Sequence, residues 1–173
     1  MSDKVQYLAY GSNLHPMRLA ARVPSARVIG VVELPGCILK FHKRSHDDSG
    51  KCLLDKAAGS QHMAYGVLYE FDAHEKGALD IAEGRGNGYM DHRVQVRLNG
   101  STHAPFVYEA QSTHIDLKLL PYHWYKHLVV AGARYHGLPA DYIASIEAVP
   151  SKGDPNLQRA QDNADLLRRM GWE

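Results

Sequence analysis

The sequence predicts an α+β domain, a small mixed or antiparallel sheet with helices packed around it, on the strength of three observations. Runs of strand-favouring residues bounded by turn residues recur through most of residues 5–110. Arg93-Val94-Gln95-Val96-Arg97-Leu98 alternates polar and apolar, the pattern of a strand with one wet face, which favours an antiparallel or mixed sheet over a doubly wound parallel one. The last third then changes to a helical period, with Trp124, Leu128, Ala131 and Tyr135 at i, i+4, i+7 and i+11.

In chain order, Val5 to Tyr10 is rich in strand formers and stops at Gly11-Ser12-Asn13, residues suited to a tight turn. Pro16 opens a short helix over Met17 to Arg22, and Pro24 ends it. Ala26 to Leu34 and Cys37 to Arg44 read as strands parted by the turn signal Pro35-Gly36. After the turn Asp47-Asp48-Ser49-Gly50, the short run Cys52 to Leu54 completes a hairpin-like segment. Met63 to Phe71 is a further strand, and Asp72 with Glu75 makes a capping-box-like start for a helix ending near Gly84. Gly84-Arg85-Gly86-Asn87-Gly88 suits no regular element, and Pro105 to Ala110 is expected to return beside the Arg93 strand. Gly137 and Pro139 stop the helix begun near Trp124. Asp154 as N-cap and Pro155 in the first turn start a last helix, striped by Leu157, Ala160, Ala164 and Leu167. We expect one domain over residues 1–173, with 151–173 a C-terminal helical extension.

Composition narrows the function classes. Twenty Lys and Arg against 19 Asp and Glu leave a formal charge of +1, so there is no basic field to hold a polyanion, and nucleic acid is excluded as the expected partner. No run approaches the roughly 20 apolar residues of a membrane-spanning helix. The polar start Met1-Ser2-Asp3-Lys4 lacks the apolar core of a signal peptide, so a cytoplasmic protein is expected, with Cys37 and Cys52 as thiols.

Two stretches carry chemistry. Tyr10-Gly11-Ser12-Asn13-Leu14 lies where a strand ends and a helix begins, so its amides can converge on an anion, although an ordinary turn with an Asn cap reads the same residues. Glu83 stands beside the glycine-rich stretch, where it is either a proton shuttle or a solvated residue at a helix end. The helix dipole disfavours a glutamate there, which points to another reason for its presence.

Tyr10 to Leu14, then Leu79-Asp80-Ile81-Ala82-Glu83-Gly84 with Gly88-Tyr89, then Tyr125-Lys126, Gly132-Ala133, Gly137-Leu138-Pro139 and Tyr142, resemble in order and spacing the motifs of the γ-glutamylcyclotransferase-like (AIG2-like) superfamily. The resemblance spans most of residues 5–150 and is weakest over 43–62 and beyond 150. It implies a barrel-like sheet and a reaction in which the α-amine of a γ-glutamyl group attacks its own γ-carbonyl, releasing 5-oxoproline and the attached amine. It further implies Glu83 as catalytic acid and base, with Tyr10, Gly11, Ser12, Asn13, Leu14, Tyr89 and Tyr125 binding a small-molecule γ-glutamyl substrate, and no cofactor or metal. Partial burial beside Tyr10, Tyr89 or Tyr125 would make that carboxylate the better base it needs to be. Tyr89 reads equally as a core residue with a bonded hydroxyl. The leaving group stays open among a γ-glutamyl amine, glutathione and a γ-glutamylated natural product.

The rival from another class is a binding protein or sensor for γ-glutamyl or related acidic amides; a second negative charge at Glu83 argues against it. His42 with His46 and His123 with His127 have i, i+4 spacing, but with Cys37 and Cys52 they fit no standard zinc pattern. Ser12 lacks the flanking glycines of a nucleophile elbow.

Overall fold

The computed structural model describes residues 2–56, 59 and 61–173; Met1 of the polar start lies outside them. The elements are β1 (Lys4–Ala9), α1 (Pro16–Ala20), β2 (Arg27–Pro35), β3 (Ile38–Arg44), β4 (Gly50–Asp55), β5 (Met63–Asp72), α2 (Lys76–Glu83), β6 (Tyr89–Arg93), β7 (Val96–Leu98), β8 (Ser101–His103), β9 (Phe106–Ala110), α3 (His123–Tyr135), α4 (Ala140–Glu147) and α5 (Leu157–Arg169). Single 3-10 turns lie at Ala73–Glu75 and Ser112–His114. Among the described residues, no helix is long and apolar enough to cross a membrane.

The main sheet is mixed, in the order β2-β5-β1-β9-β6, and its one parallel pair is β1 with β9. It does not close into a barrel: β2 and β6 are its two edges. Hairpins β3-β4 and β7-β8 stand beside it. The central strands bury both faces, with Leu8, Val67, Leu68, Tyr69 and Phe71 at 2% exposure or less.

Register brings the ends of β1 and α2 together. Lys4 pairs with Asp72 and Ala9 with Val67, so the chain leaves β5 level with the start of β1. The 3-10 turn and the eight residues of α2, about 12 Å of helix, then carry it back alongside the sheet. Glu83, the last residue of α2, therefore arrives near the loop that follows β1, and Gly84 closes the helix in the left-handed conformation at φ 67°.

Helix α3 is buried nearly all round, with Leu128, Val129, Val130 and Ala133 fully enclosed, because the sheet lies on one side and α4 and α5 on the other. The expected stripe therefore understates it, while its last member, Tyr135, is 60% exposed. In α5 the stripe holds at Leu167 and fails at Leu157, which is 80% exposed ahead of the helix contact with α3.

Other differences have local causes. The capping box does not form: the Asp72 carboxylate pairs with Lys4, and Glu75 takes the amide and hydroxyl of Ser25 at 3.2 and 2.7 Å. The alternating stretch is split, since Tyr89–Arg93 pairs with β9 and only Val96–Leu98 belongs to the next hairpin. The N-cap of α5 is Asn156, whose side chain accepts the Arg159 amide at 3.0 Å, not Asp154.

Asp154 is instead a fully buried anchor for the C-terminal segment. It accepts Trp124 Nε1 at 2.8 Å, Arg159 Nε and Nη2 at 2.6 and 2.7 Å, and the Asn156 amide at 2.8 Å. Hydrogen bonds from Arg159 first of all hold its carboxyl well below the usual carboxylate range. The contribution is complete above about pH 4, the unfolded carboxylate range, and is lost as pH falls through the lower folded value. Asp154→Asn is expected to cost about 1–3 kcal/mol at neutral pH, with melting curves of variant and parent converging in acid; a gap that persists undiminished at acid pH would contradict this.

Candidate active site

The loop Tyr10 to His15 joins the end of β1 to α1 and lies against two other elements by virtue of two glycines. A Cβ on Gly11 would stand 2.8 Å from Cys52 Cβ, so the loop rests directly on β4. A Cβ on Gly132 would stand 2.4 Å from Leu14 Cβ and 2.8 Å from the His15 nitrogen, so α3 touches the loop backbone itself. The Leu14 carbonyl accepts Tyr69 Oη and His136 Nε2, both at 2.7 Å, which fixes the loop from below. The cap of α1 is His15, whose Nδ1 accepts the Met17 amide at 3.1 Å; the expected Asn cap does not form. The amides of Gly11, Ser12 and Asn13 have no protein acceptor among the described residues.

Asn13 is free for another partner. Its Nδ2 donates to Glu83 Oε1 at 2.8 Å and to Tyr7 Oη at 3.1 Å. Arg22 Nη1 donates to the same Glu83 oxygen at 2.6 Å and to Asn13 Oδ1 at 2.8 Å. The three side chains thus form a closed triangle in which Oε1 is held twice. Oε2 accepts from no protein group among the described residues.

Three expected tyrosines stand round this triangle, each 6% exposed. Tyr10 Oη donates to the Tyr108 carbonyl at 2.6 Å, and Tyr89 Oη to the Cys52 carbonyl at 2.5 Å. Tyr125 Oη accepts the Cys52 amide at 3.1 Å. Burial first of all pushes all three phenols well above their usual range and the Cys52 thiol up to about 12, so all four are neutral at physiological pH. Tyr108 Oη in turn donates to Asp80 at 2.6 Å, tying α2 to β9.

These groups line a recess of about 20 Å³ shared by the loop, Glu83 and the tyrosines. A recess that size has room for about one water-sized group. It opens into a cleft of about 820 Å³, within the usual range for small-molecule sites. Ser12, Glu83, Tyr89 and Tyr125 line both spaces. The cleft walls are strongly cationic. Lys51 pairs with Asp47 at 3.1 Å beneath the rings of Trp124 and Tyr125, 4.7 and 4.5 Å away. Lys43 Nζ lies 4.3 Å over the Tyr89 ring, and Arg18 reaches in from α1.

The structure brings together Glu83, Tyr10, Gly11, Ser12, Asn13, Tyr89 and Tyr125, from the ends of β1 and α2, the start of β6 and the first turn of α3. It does not bring Leu14, which is wholly buried as an anchor for the loop. The immediate partners of Glu83 are Arg22 and Asn13, with the expected tyrosines set round them. Arg22, Lys43 and Arg18 were not singled out as site residues; the one signal for Arg22 is a lone charge in the apolar stretch Leu19 to Val23. Neither histidine pair belongs to the side-chain group close enough to hold an ion, Asp72 with His74 and Glu75, among the described residues. His123 bonds Ser151, and His127 stacks on Trp172.

Residues 63–146 match the model of the AIG2-like family, a stretch that includes Glu83, Tyr89 and Tyr125 but not the Tyr10 loop. Among solved structures, a γ-glutamyl cyclotransferase is 23% identical with a TM-score of 0.80, over 96% of this chain and 99% of the other. An uncharacterised protein from Homo sapiens is 24% identical with a TM-score of 0.78, over 95% and 98%. YkqA from Bacillus subtilis is 17% identical with a TM-score of 0.71, over 87% of this chain and 56% of the other. No curated protein sequence matches the chain.

Proposed function

We propose that the chain, whose residues 63–146 match the AIG2-like family and whose fold is similar to that of a γ-glutamyl cyclotransferase, is a cyclotransferase that releases 5-oxoproline from a γ-glutamyl amide, with Glu83 as general acid and base. The observation that carries this reading is the Glu83 carboxylate, anchored through Oε1 by Arg22 and Asn13 and open at Oε2 beside the unbonded amides of the preceding loop.

In this reading Oε2 takes a proton from the substrate α-ammonium, and the freed amine attacks the γ-carbonyl carbon. The new C–N bond closes a five-membered ring and places negative charge on the carbonyl oxygen. The loop amides of Gly11, Ser12 and Asn13 are the donors for that oxygen or for the α-carboxylate, and the recess has the size for a single oxygen. Glu83 then returns that proton to the leaving nitrogen as its bond to carbon breaks, the ring nitrogen gives up its second proton by way of the same carboxylate to the departing amine, which leaves as an ammonium, and no water is consumed. The enzyme contributes mainly by holding a curled substrate, since proximity is worth about 7–11 kcal/mol for a well-oriented intramolecular attack. Tyr10 and Tyr89 have their protons committed to backbone carbonyls, so their part is to shape the recess and to accept rather than donate. Free thiols at Cys37 and Cys52 agree with a reducing, cytoplasmic setting.

The test is incubation of purified protein with a panel of γ-glutamyl amides, with 5-oxoproline and free amine quantified. Equimolar release of both supports the proposal. Tight binding of the same amides without turnover would instead favour the sensor reading.

A further inference from the structure

Building on that reading, we infer that the leaving amine released by this protein carries two negative charges, as an amino dicarboxylate or a phosphomonoester. The charges that line the cleft pair off unevenly. Glu83 answers Arg22, and Asp47 answers Lys51. Two anions from outside the cleft, Asp116 and Asp154, answer Arg44 and Arg159. Arg18 and Lys43 are left over, with no ion pair or hydrogen bond from their side-chain nitrogens among the described residues. The remaining cleft anion, Asp48, is exposed at the rim and faces water.

Neither leftover cation is an ordinary surface charge. Lys43 is 5% exposed, its ammonium seated between the Tyr89 ring and Gly88, where a Cβ would lie 2.7 Å from Nζ. The Arg18 Nε atom is buried with no acceptor, and burial followed by the nearby Arg22 charge lowers its guanidinium to about 10. Lys43 is likewise lowered by burial, against the opposing pulls of Glu83 and Asp47, neither of which bonds its ammonium. A cation held this far out of water without an anionic partner costs free energy, which an anionic ligand at that place recovers. Arg18 and Lys43 line the same cleft as Glu83, the carboxylate at which the amide bond is broken. With the loop amides taking the α-carboxylate of the substrate's glutamyl end, the two positive charges are left for the departing half.

The experiment compares kcat/KM for 5-oxoproline release from γ-glutamylalanine amide, γ-glutamylalanine, γ-glutamylglutamate and γ-glutamyl-phosphoethanolamine, whose leaving amines are neutral, singly charged, a dicarboxylate and a phosphomonoester. One of the last two is expected to exceed the singly charged substrate by about 10-fold and the neutral one by about 100-fold, as charged hydrogen bonds allow, and whichever leads identifies the source. Lys43→Met and Arg18→Met are each expected to shrink that ratio about 10-fold while leaving the melting temperature equal or higher, because an unpaired buried charge is removed. Equal kcat/KM across the four substrates would overturn the inference even if a variant failed to fold, and so would a preference that both variants retain. If no amide yields 5-oxoproline, the cyclotransferase reading fails by itself. The charge inference is then read from thermal shifts: stabilisation by the doubly charged amides over the neutral one, lost in Lys43→Met, upholds it, and equal shifts refute it.

Discussion

Glu83→Gln is expected to keep the fold and lose about 100- to 10,000-fold in 5-oxoproline release, the usual cost of removing a general acid-base group. The amide is the same size as the carboxylate and keeps an oxygen for the Asn13 and Arg22 donors at Oε1. Its other terminal atom becomes an NH2 group, which cannot take the ammonium proton. Substrate affinity should change little, since the loop amides and cleft cations are untouched. A folded variant with near-parental kcat would remove Glu83 from the chemistry.

Arg22→Met is expected to lower kcat by about 10- to 100-fold, the range for a lost charge-assisted hydrogen bond. Arg22 acts through Glu83: its Nη1 fixes Oε1 and Asn13 Oδ1 together, which leaves Oε2 as the oxygen turned to the substrate. A double-mutant cycle separates this from general loosening. On the Glu83→Gln background the Arg22 substitution should add almost nothing, because there is no proton shuttle left to orient. Equal losses in both backgrounds would show that Arg22 serves the fold or the substrate directly.

How much of this was legible in the sequence depended on whether the deciding interactions were local. The strand Val5 to Tyr10, the helix ending at Gly84 and the buried helix from Trp124 were readable because their own periodicity and stop signals specify them. Tyr89–Arg93 was not, since Met90, Asp91 and His92 carry no strand pattern and the segment is ordered by pairing with β9. One missed signal was local: Asn99-Gly100, at φ 50° and 80°, forms the tight turn between β7 and β8 that such a pair announces. The loop and Glu83 were found through their motifs. The cations were not, because Arg18, Arg22 and Lys43 meet only through tertiary packing, and no spacing along the chain encodes their sharing of one cleft.

The central claim is that the substrate's own amine, and not water, displaces the leaving group, and the isotope content of the product tests it directly. Turnover of the best γ-glutamyl amide in water enriched in heavy oxygen should give unlabelled 5-oxoproline and an equal amount of free amine. Glutamate carrying one heavy oxygen, formed in step with the amine, would show that the bond is hydrolysed and would contradict the account.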